Sequence, residues 1–577
     1  MRRPSRYTPP QRCSPDRLRG RAMTIRQRRS MYELAEWDPP SEPMWAGTGQ
    51  WLTHVLPRKL AKLPEAEAFS LRKWGVFVVQ QGATILNQVL ANSLHPLSRM
   101  EAYRDYASLF ESIRPPAHAA AHWQSDADFA EQRLNGCNPM VLTRCEAPPH
   151  DALCRAAEGQ LAAIGPGWNI QRAVDQGRLF AVDYTAIETV RDLIPADIAY
   201  SAPTALFFAR EDGRLWPLAI RLFPLSHPGP NVPVTPETGA AAWALAKLHF
   251  QVADGAYHEA ISHLLETHLV TELIASCLHR NVHPDHPVSQ LLTPHFVDNL
   301  AIDALARTSL LNKGGPIDSA IGVGARGALR LVGLVWSSWD FQRSSLERDL
   351  ARRGLDDRDR LPGCWYREDA TALKGATSQL FTQLTRAWYA DDQAVQTDWE
   401  LQGWADETAR ADGGALSGFP ARFETREALA QTLTEIVFRA SAQHAAVNNG
   451  QYDRYGWPPY SPTSLRITPA SDAIAAGRSI TDQELWGTMP TRAKSLAQLS
   501  MARVLSAATY TSLVRTGDSP AFQPEVDPLA AEAIQAYRQR LSAASETIRR
   551  RNAVLVSHGN TPYTYLDPYN ISRSIEI

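Results

Sequence analysis

At 577 residues, with 44% hydrophobic and 21% charged side chains, the chain has an ordinary globular composition and is long enough to bury a large core. Lys+Arg 59 against Asp+Glu 61 leaves a formal net charge of -2, which excludes a nucleic-acid surface spread over the whole molecule. Partners are therefore to be sought in local sites, with no nucleic acid among them.

Residues 1–30 hold ten arginines, Asp16 as their one acid, and Pro4, Pro9, Pro10 and Pro15. That composition buries too little apolar surface to order itself, so 1–33 is expected to be a disordered, solvated tail. From residue 34 to 577 no long linker and no internal repeat divides the sequence, and it reads as one domain. Apolar residues at helical spacing predict helices over 68–91, 236–275, 370–389, 425–448, 491–514 and 528–551, so the fold is expected to be mainly α. The first of these reads as a core helix; it is also the segment an amphipathic membrane contact would use. At 205–223, ALFFAREDGRLWPLAIRLF sets two β-rich runs around a DG turn and predicts a hairpin. The proline clusters at 224–235 and 457–462 read as loops, and the charged stretch 349–369 as a lid or loop.

Six cysteines at 13, 137, 145, 154, 277 and 364 form no CxxC pair and read as free thiols. Neither a run of about 18 apolar residues nor an apolar leader occurs, so a cytoplasmic protein is expected.

Eight of the sixteen histidines lie between His249 and His295, which makes this the chemically dense part of the chain. Within YHEAISHLLETHL, His258, His263 and His268 follow one another at steps of five. In an α-helix a step of five turns side chains roughly 140° apart, against about 40° for a step of four. Either these histidines do not act together, or the helix widens into a π-type turn whose i→i+5 bonding returns such positions to one side. His283 and His286 stand directly before prolines in HPDHP, and read as loop residues bonded to backbone. Further on, SAQHAAVNNGQY sets His444 and Asn448 four apart on a predicted helix, where both reach one point.

These motifs occur in the order of a known family. HxxxxHxxxxH at 258–268, HPVSQLLTPH at 286–295, LAR at 305–307, GG at 314–315, HAAVNNGQY at 444–452, TPYTYLDPYN at 561–570 and the terminal SIEI resemble the signature blocks of the lipoxygenases. The resemblance implies a helical catalytic domain with a long central metal-binding helix distorted in the π manner, and a small β element. It implies one non-haem iron held by His263, His268, His444, Asn448 and the main-chain carboxylate of Ile577, with His258, Glu259 and Gln451 in hydrogen-bonding positions around them. Imidazole, amide and carboxylate donors without thiolate suit iron cycling between two oxidation states, and manganese accepts the same set. The implied reaction needs no side-chain base: iron-bound hydroxide takes a hydrogen atom from a bis-allylic carbon of a polyunsaturated fatty acid, and O2 adds to the pentadienyl radical.

Leu310, Ile317 and Leu505 fall where the family places apolar side chains over the pentadiene. Ala306 falls where alanine accompanies S-hydroperoxides. Where plant members carry an arginine before a PT pair, this chain has Ser461, so the carboxylate partner is left to Arg454 or Arg466. About 260 residues precede the metal helix, too few for the family's N-terminal β-sandwich, so a compact catalytic domain of bacterial type, monomeric, is expected. Two other readings are a hydroperoxide isomerase on the same scaffold, and a non-catalytic lipid-binding protein; the intact ligand set speaks against the latter.

Overall fold

The structure, a computed structural model, describes residues 7–96, 98–149, 151–223, 231–506 and 511–577. Its axis is one uninterrupted helix in which Ala240–Tyr257, a π segment at His258–Leu269 and Val270–Asn281 follow with helical backbone at both junctions. At 1.5 Å per residue this rod is roughly 60 Å long. Nearly all its residues are buried, including polar ones, as expected of a helix with neighbours on every side. Gly324–Trp336 packs on the π segment, and Trp365–Trp388 packs between Arg426–Phe438 and Pro528–Ser557. The second predicted ligand helix is likewise compound: Arg426–Phe438, a π segment Arg439–Gln443, then His444–Asn448.

Among the described residues the strands are few. The largest sheet is antiparallel, in the order Thr143–Arg144, Leu179–Asp183, Thr204–Ala209, Leu215–Arg221. The predicted hairpin is its last pair. Gly213 at the turn takes φ 78°, a left-handed conformation that glycine adopts without strain, and Asp212 Oδ1 accepts from the Arg214 N–H.

Several expectations need correcting. The arginine-rich segment is not a disordered tail: Pro15–Met31 is a helix packed on Val270–Asn281. Its composition favours solvent only while the arginines lack partners. Here Arg21 forms a buried bidentate pair with Glu400 (2.5 and 2.8 Å), Arg28 Nε donates to the His279 carbonyl (2.7 Å) and Arg29 to Asn281 Oδ1 (2.7 Å). Residues 1–6 lie outside the described residues, as do 224–230 of the expected proline loop. The helix expected over 68–91 forms as Leu71–Leu94, yet it lies on the surface rather than in the core. The helix expected over 491–514 ends at Leu505, and 507–510 lie outside the described residues. The stretch 349–369 is only partly loop, since Leu346–Arg352 is helical and the next helix begins at Trp365. All six cysteines are free thiols. No helix among the described residues is long and apolar enough to cross a membrane.

Arg21→Ala strands the Glu400 carboxylate in the interior, where losing one partner of a buried pair costs about 3 kcal/mol or more. The variant should unfold at a temperature lower by a few degrees, roughly, as followed by calorimetry. An unchanged unfolding temperature would show that the arginine helix is not docked.

Candidate metal centre

The π segment answers the five-residue spacing. His263 and His268 point into one buried space, and His444 enters it from the compound helix across the core. His263 Nε2 lies 3.3 Å from His268 Nε2 and 3.3 Å from His444 Nε2. A cluster of His263, His268 and His444 able to hold a metal ion is thereby assembled from two helices.

The far side of each ring in the central helix is fixed by an acid. His268 Nδ1 donates to Asp303 Oδ1 (2.7 Å), and His263 Nδ1 faces Glu259 Oε2 (3.3 Å). Protons held on Nδ1 leave the Nε2 lone pairs directed at the shared space. Burial, together with the neighbouring imidazoles, lowers His263 to about 4; burial likewise takes His268 to about 4 and His444 well below the usual histidine value. The three rings are therefore neutral, the state in which imidazole binds a metal. Burial alone would raise Glu259, but His258 and His263 on either side draw it down to about 2.

This arrangement passes a simple test of fit. Imidazole nitrogens about 2.1 Å from a common ion and at right angles to one another stand about 3 Å apart. The observed separations are close to that, and nitrogen lone pairs facing each other in a dry space repel unless a cation lies between them. A backbone oxygen of Ile577 also lies beside His268 and His444. The terminal segment is buried here: Ile575 and Ile577 pack with Phe77 and Ile302. Glu576, between them, hydrogen-bonds Ser572 Oγ (2.7 Å) and Thr511, with Lys73 Nζ 3.9 Å away.

Asn448 is buried one turn after His444, and its Oδ1 accepts from Gln451 Nε2 (3.0 Å), which itself lies 3.5 Å from His263 Nδ1. His258 turns away from the cluster: Nε2 donates to the Val447 carbonyl (2.7 Å) and Nδ1 lies 3.1 Å from the Tyr455 hydroxyl, tying the two histidine-bearing helices together. His283 and His286 cap local backbone, accepting from Asp285 N and Val288 N, as loop histidines should.

The apolar candidates sit on three adjoining pieces. Ala306 and Leu310 bound a further π segment, Ala306–Leu310, which packs on Pro316–Ala320; that helix carries the buried Ile317 and packs in turn on Arg492–Leu505, which ends at the buried Leu505. Arg454 is not available to a ligand carboxylate, because it is buried beside Asp128 and Glu131 and hydrogen-bonded to the Tyr460 hydroxyl. Arg466 Nε donates to the Met489 carbonyl (2.7 Å).

Sequence reasoning missed Asp303. Burial pushes its carboxyl up to about 7 against the pull of Arg307, which is itself paired with the buried Glu272. The signal was present: Glu272 follows His268 by four residues, and Arg307 follows Asp303 by four, so each pair shares a helix face.

Comparison with known proteins agrees with this geometry. The family model described as Lipoxygenase matches residues 78–568. The human polyunsaturated fatty acid lipoxygenase ALOX15B is 31% identical over 571 residues, covering 96% of this chain and 79% of that protein. The allene oxide synthase-lipoxygenase protein of Plexaura homomalla is 30% identical over 96% of this chain; the chain spans 53% of that protein's length. The crystal structure of a coral 8R-lipoxygenase superposes with a TM-score of 0.85 at 28% identity, covering 99% of this chain and 83% of that one.

The buried neutral histidines set an acid limit. His249, His263, His268 and His295 are lowered to about 4 by burial, and His279 to about 3. Between about pH 6.5 and 4 the unfolded chain takes up protons at these positions and the folded chain does not, so stability falls as pH falls through that window. Metal-free protein titrated from pH 7 to 4 should lose unfolding temperature steadily across this range. A flat profile would mean that these histidines protonate in the folded state, or that proton uptake by carboxyls raised by burial, Asp303 and Asp369, offsets them.

Proposed function

Because the chain belongs to the lipoxygenase family, we propose that it is a non-haem iron dioxygenase that converts polyunsaturated fatty acids bearing a cis,cis-1,4-pentadiene into hydroperoxides, chiefly of S configuration. The observation that carries this reading is the convergence of three neutral Nε2 atoms at one buried point beside a backbone oxygen of Ile577. His263, His268, His444, Asn448 and the carboxylate of Ile577 would hold the metal, iron by preference and manganese as a variant with the same donors. When bound, iron supplies the one-electron chemistry that removes a hydrogen atom from a bis-allylic carbon ahead of O2 addition.

The remaining tasks fall to the chain. Asp303 and Glu259 hold the protons on Nδ1 of His268 and His263, so that both rings stay aimed and electron-rich. Gln451 orients the Asn448 amide through its 3.0 Å hydrogen bond. His258 fixes the spacing of the two helices by its bond to Val447. Leu310, Ile317 and Leu505 would clamp the pentadiene, and the Ala306 methyl would shield one end of the radical from O2. No side chain is needed as a base, which agrees with a cluster whose acids already serve as acceptors.

Purified protein given linoleate or arachidonate under oxygen should form conjugated dienes, with about one iron per chain. His263→Ala and His444→Ala should each lose both iron and diene formation, since the remaining donors cannot replace a missing ligand. A C-terminal hexahistidine tag should do the same, because it turns the Ile577 carboxylate into an amide and forces polar atoms into a dry space, whereas an N-terminal tag should not. Equal iron and turnover in both tagged forms would remove Ile577 from the ligand set. Ala306→Gly should keep its iron and shift products towards the other end of the pentadienyl radical, raising the R share on chiral chromatography. Unchanged products would count against this placement of the substrate.

A further inference from the structure

Lys73 lies in the first turn of Leu71–Leu94, only 3% exposed, with its backbone N–H donating to the capping Ser70 Oγ (3.1 Å). A cation there is doubly unfavourable, because burial strips its water and the positive end of the helix dipole lies beside it. Burial accordingly lowers the Lys73 ammonium, against the pull of Glu576 and then of Asp298. Glu576 Oε2 stands 3.9 Å from its Nζ and Asp298 Oδ2 4.0 Å, so one ammonium is shared between two buried acids. Such a placement survives only where both acids need the cation as much as it needs them.

Each acid anchors a different piece of the candidate centre. Glu576 immediately precedes Ile577: its Oε1 accepts from Ser572 Oγ (2.7 Å) and from Thr511, whereas Oε2 receives no hydrogen bond among the described residues and faces the ammonium. On either side of it, Ile575 and Ile577 pack with Phe77, one turn beyond Lys73, whose ring lies 5.2 Å from Nζ. Asp298 is the N-cap of Asn299–Leu305, the helix that carries Asp303, and holds φ 66°, a left-handed conformation unfavourable for a residue with a Cβ. Burial and the other two imidazoles lower His444, and the charge of Lys73 adds to them, which places the ammonium close behind the ring cluster. We propose that Lys73 is a positioning residue whose ammonium pins the C-terminal segment, and with it the Ile577 carboxylate, beside the helix that carries Asp303. The inference rests on the reading of Ile577 as a ligand and names what keeps it seated. Without the cation, two carboxylates would confront each other in a dry interior, and the chain end, tethered on one side only, is the piece that can leave.

Release of Ile577 by a carboxypeptidase selective for apolar terminal residues, measured on the metal-free full chain, tests this without reference to turnover. Wild type should be protected. Lys73→Met, which keeps the stem and drops the charge, should lose Ile577 faster by on the order of tenfold or more, through local opening of the chain end. Lys73→Gln should do the same, which keeps the test decisive if the methionine variant misfolds. Lys73→Met/Glu576→Gln removes the cation together with the acid that needs it, and should return towards the wild-type rate. Asn87 holds the same helix elsewhere, donating to the Leu109 carbonyl (2.8 Å) and accepting from the Glu111 N–H (2.9 Å). Asn87→Ala should therefore lower the unfolding temperature and leave Ile577 protected. Equal release from wild type and Lys73→Met would overturn the proposal, and so would a double variant that releases Ile577 as fast as Lys73→Met. Release as fast from Asn87→Ala would also overturn it, since that would trace the effect to a loosened helix rather than to the charge. Loaded with cobalt(II), Lys73→Met should bind the metal weaker by on the order of tenfold and show more intense visible bands than wild type, as when a donor is lost. Fast release with unchanged cobalt affinity and spectrum would support the pin and remove Ile577 from the ligand set, which separates the two failures.

Discussion

Three imidazole lone pairs directed at one point in a dry interior are the costly arrangement around which this fold is organised. Each ring must be neutral, must carry its proton on the far nitrogen, and must be kept from rotating towards some easier partner. Those demands explain why the surroundings are so polar for a core. Glu259, Asp303, Glu272 and Arg307 are all buried, and each is spoken for by another member of the set or by a histidine. Removing one member would strand another, so the acids and the basic group behind the rings are best regarded as one unit with the rings.

Backbone geometry meets the same demand. Three π segments occur at this centre: His258–Leu269 carries two of the rings, Arg439–Gln443 leads directly into His444, and Ala306–Leu310 begins three residues after Asp303. A π turn gives up regular α bonding, and a helix adopts it where something else is gained. Here the gain is azimuth, because a straight α-helix would send His263 and His268 to different sides.

Much of this was legible in the sequence, for reasons that differ from one residue to another. The helices announce themselves by apolar spacing, and the hairpin by its DG turn, because both signals are local. The meeting of His263, His268 and His444 was legible through ordered motifs rather than spacing, since five-residue steps on their own left two readings open. Asp303 was missed because its partner stands 35 residues earlier in the chain. The arginine helix was misread for a similar reason: composition describes a segment alone in water, whereas Arg21 finds its carboxylate 379 residues away. The helix Leu71–Leu94 was misplaced because periodicity locates an apolar face without saying which way it points. Its inward Asn87, held by backbone groups from 109 to 113, decides that.

The central rod also links the ring cluster to the docked arginine helix. Downstream of the π segment, the same helix presents His279, Arg280 and Asn281 to the arginine helix and to Glu407. The azimuth of those residues is inherited from the widened turns before them. Loss of a single residue between His258 and Leu269 would let the segment relax towards regular α bonding, and would turn everything beyond it by about 100°. Such a deletion would unseat the docking of Pro15–Met31 some turns away as surely as it would scatter the rings. In the middle of this rod the number of residues sets the azimuth of both ends, so it can be altered only if both ends are rebuilt together.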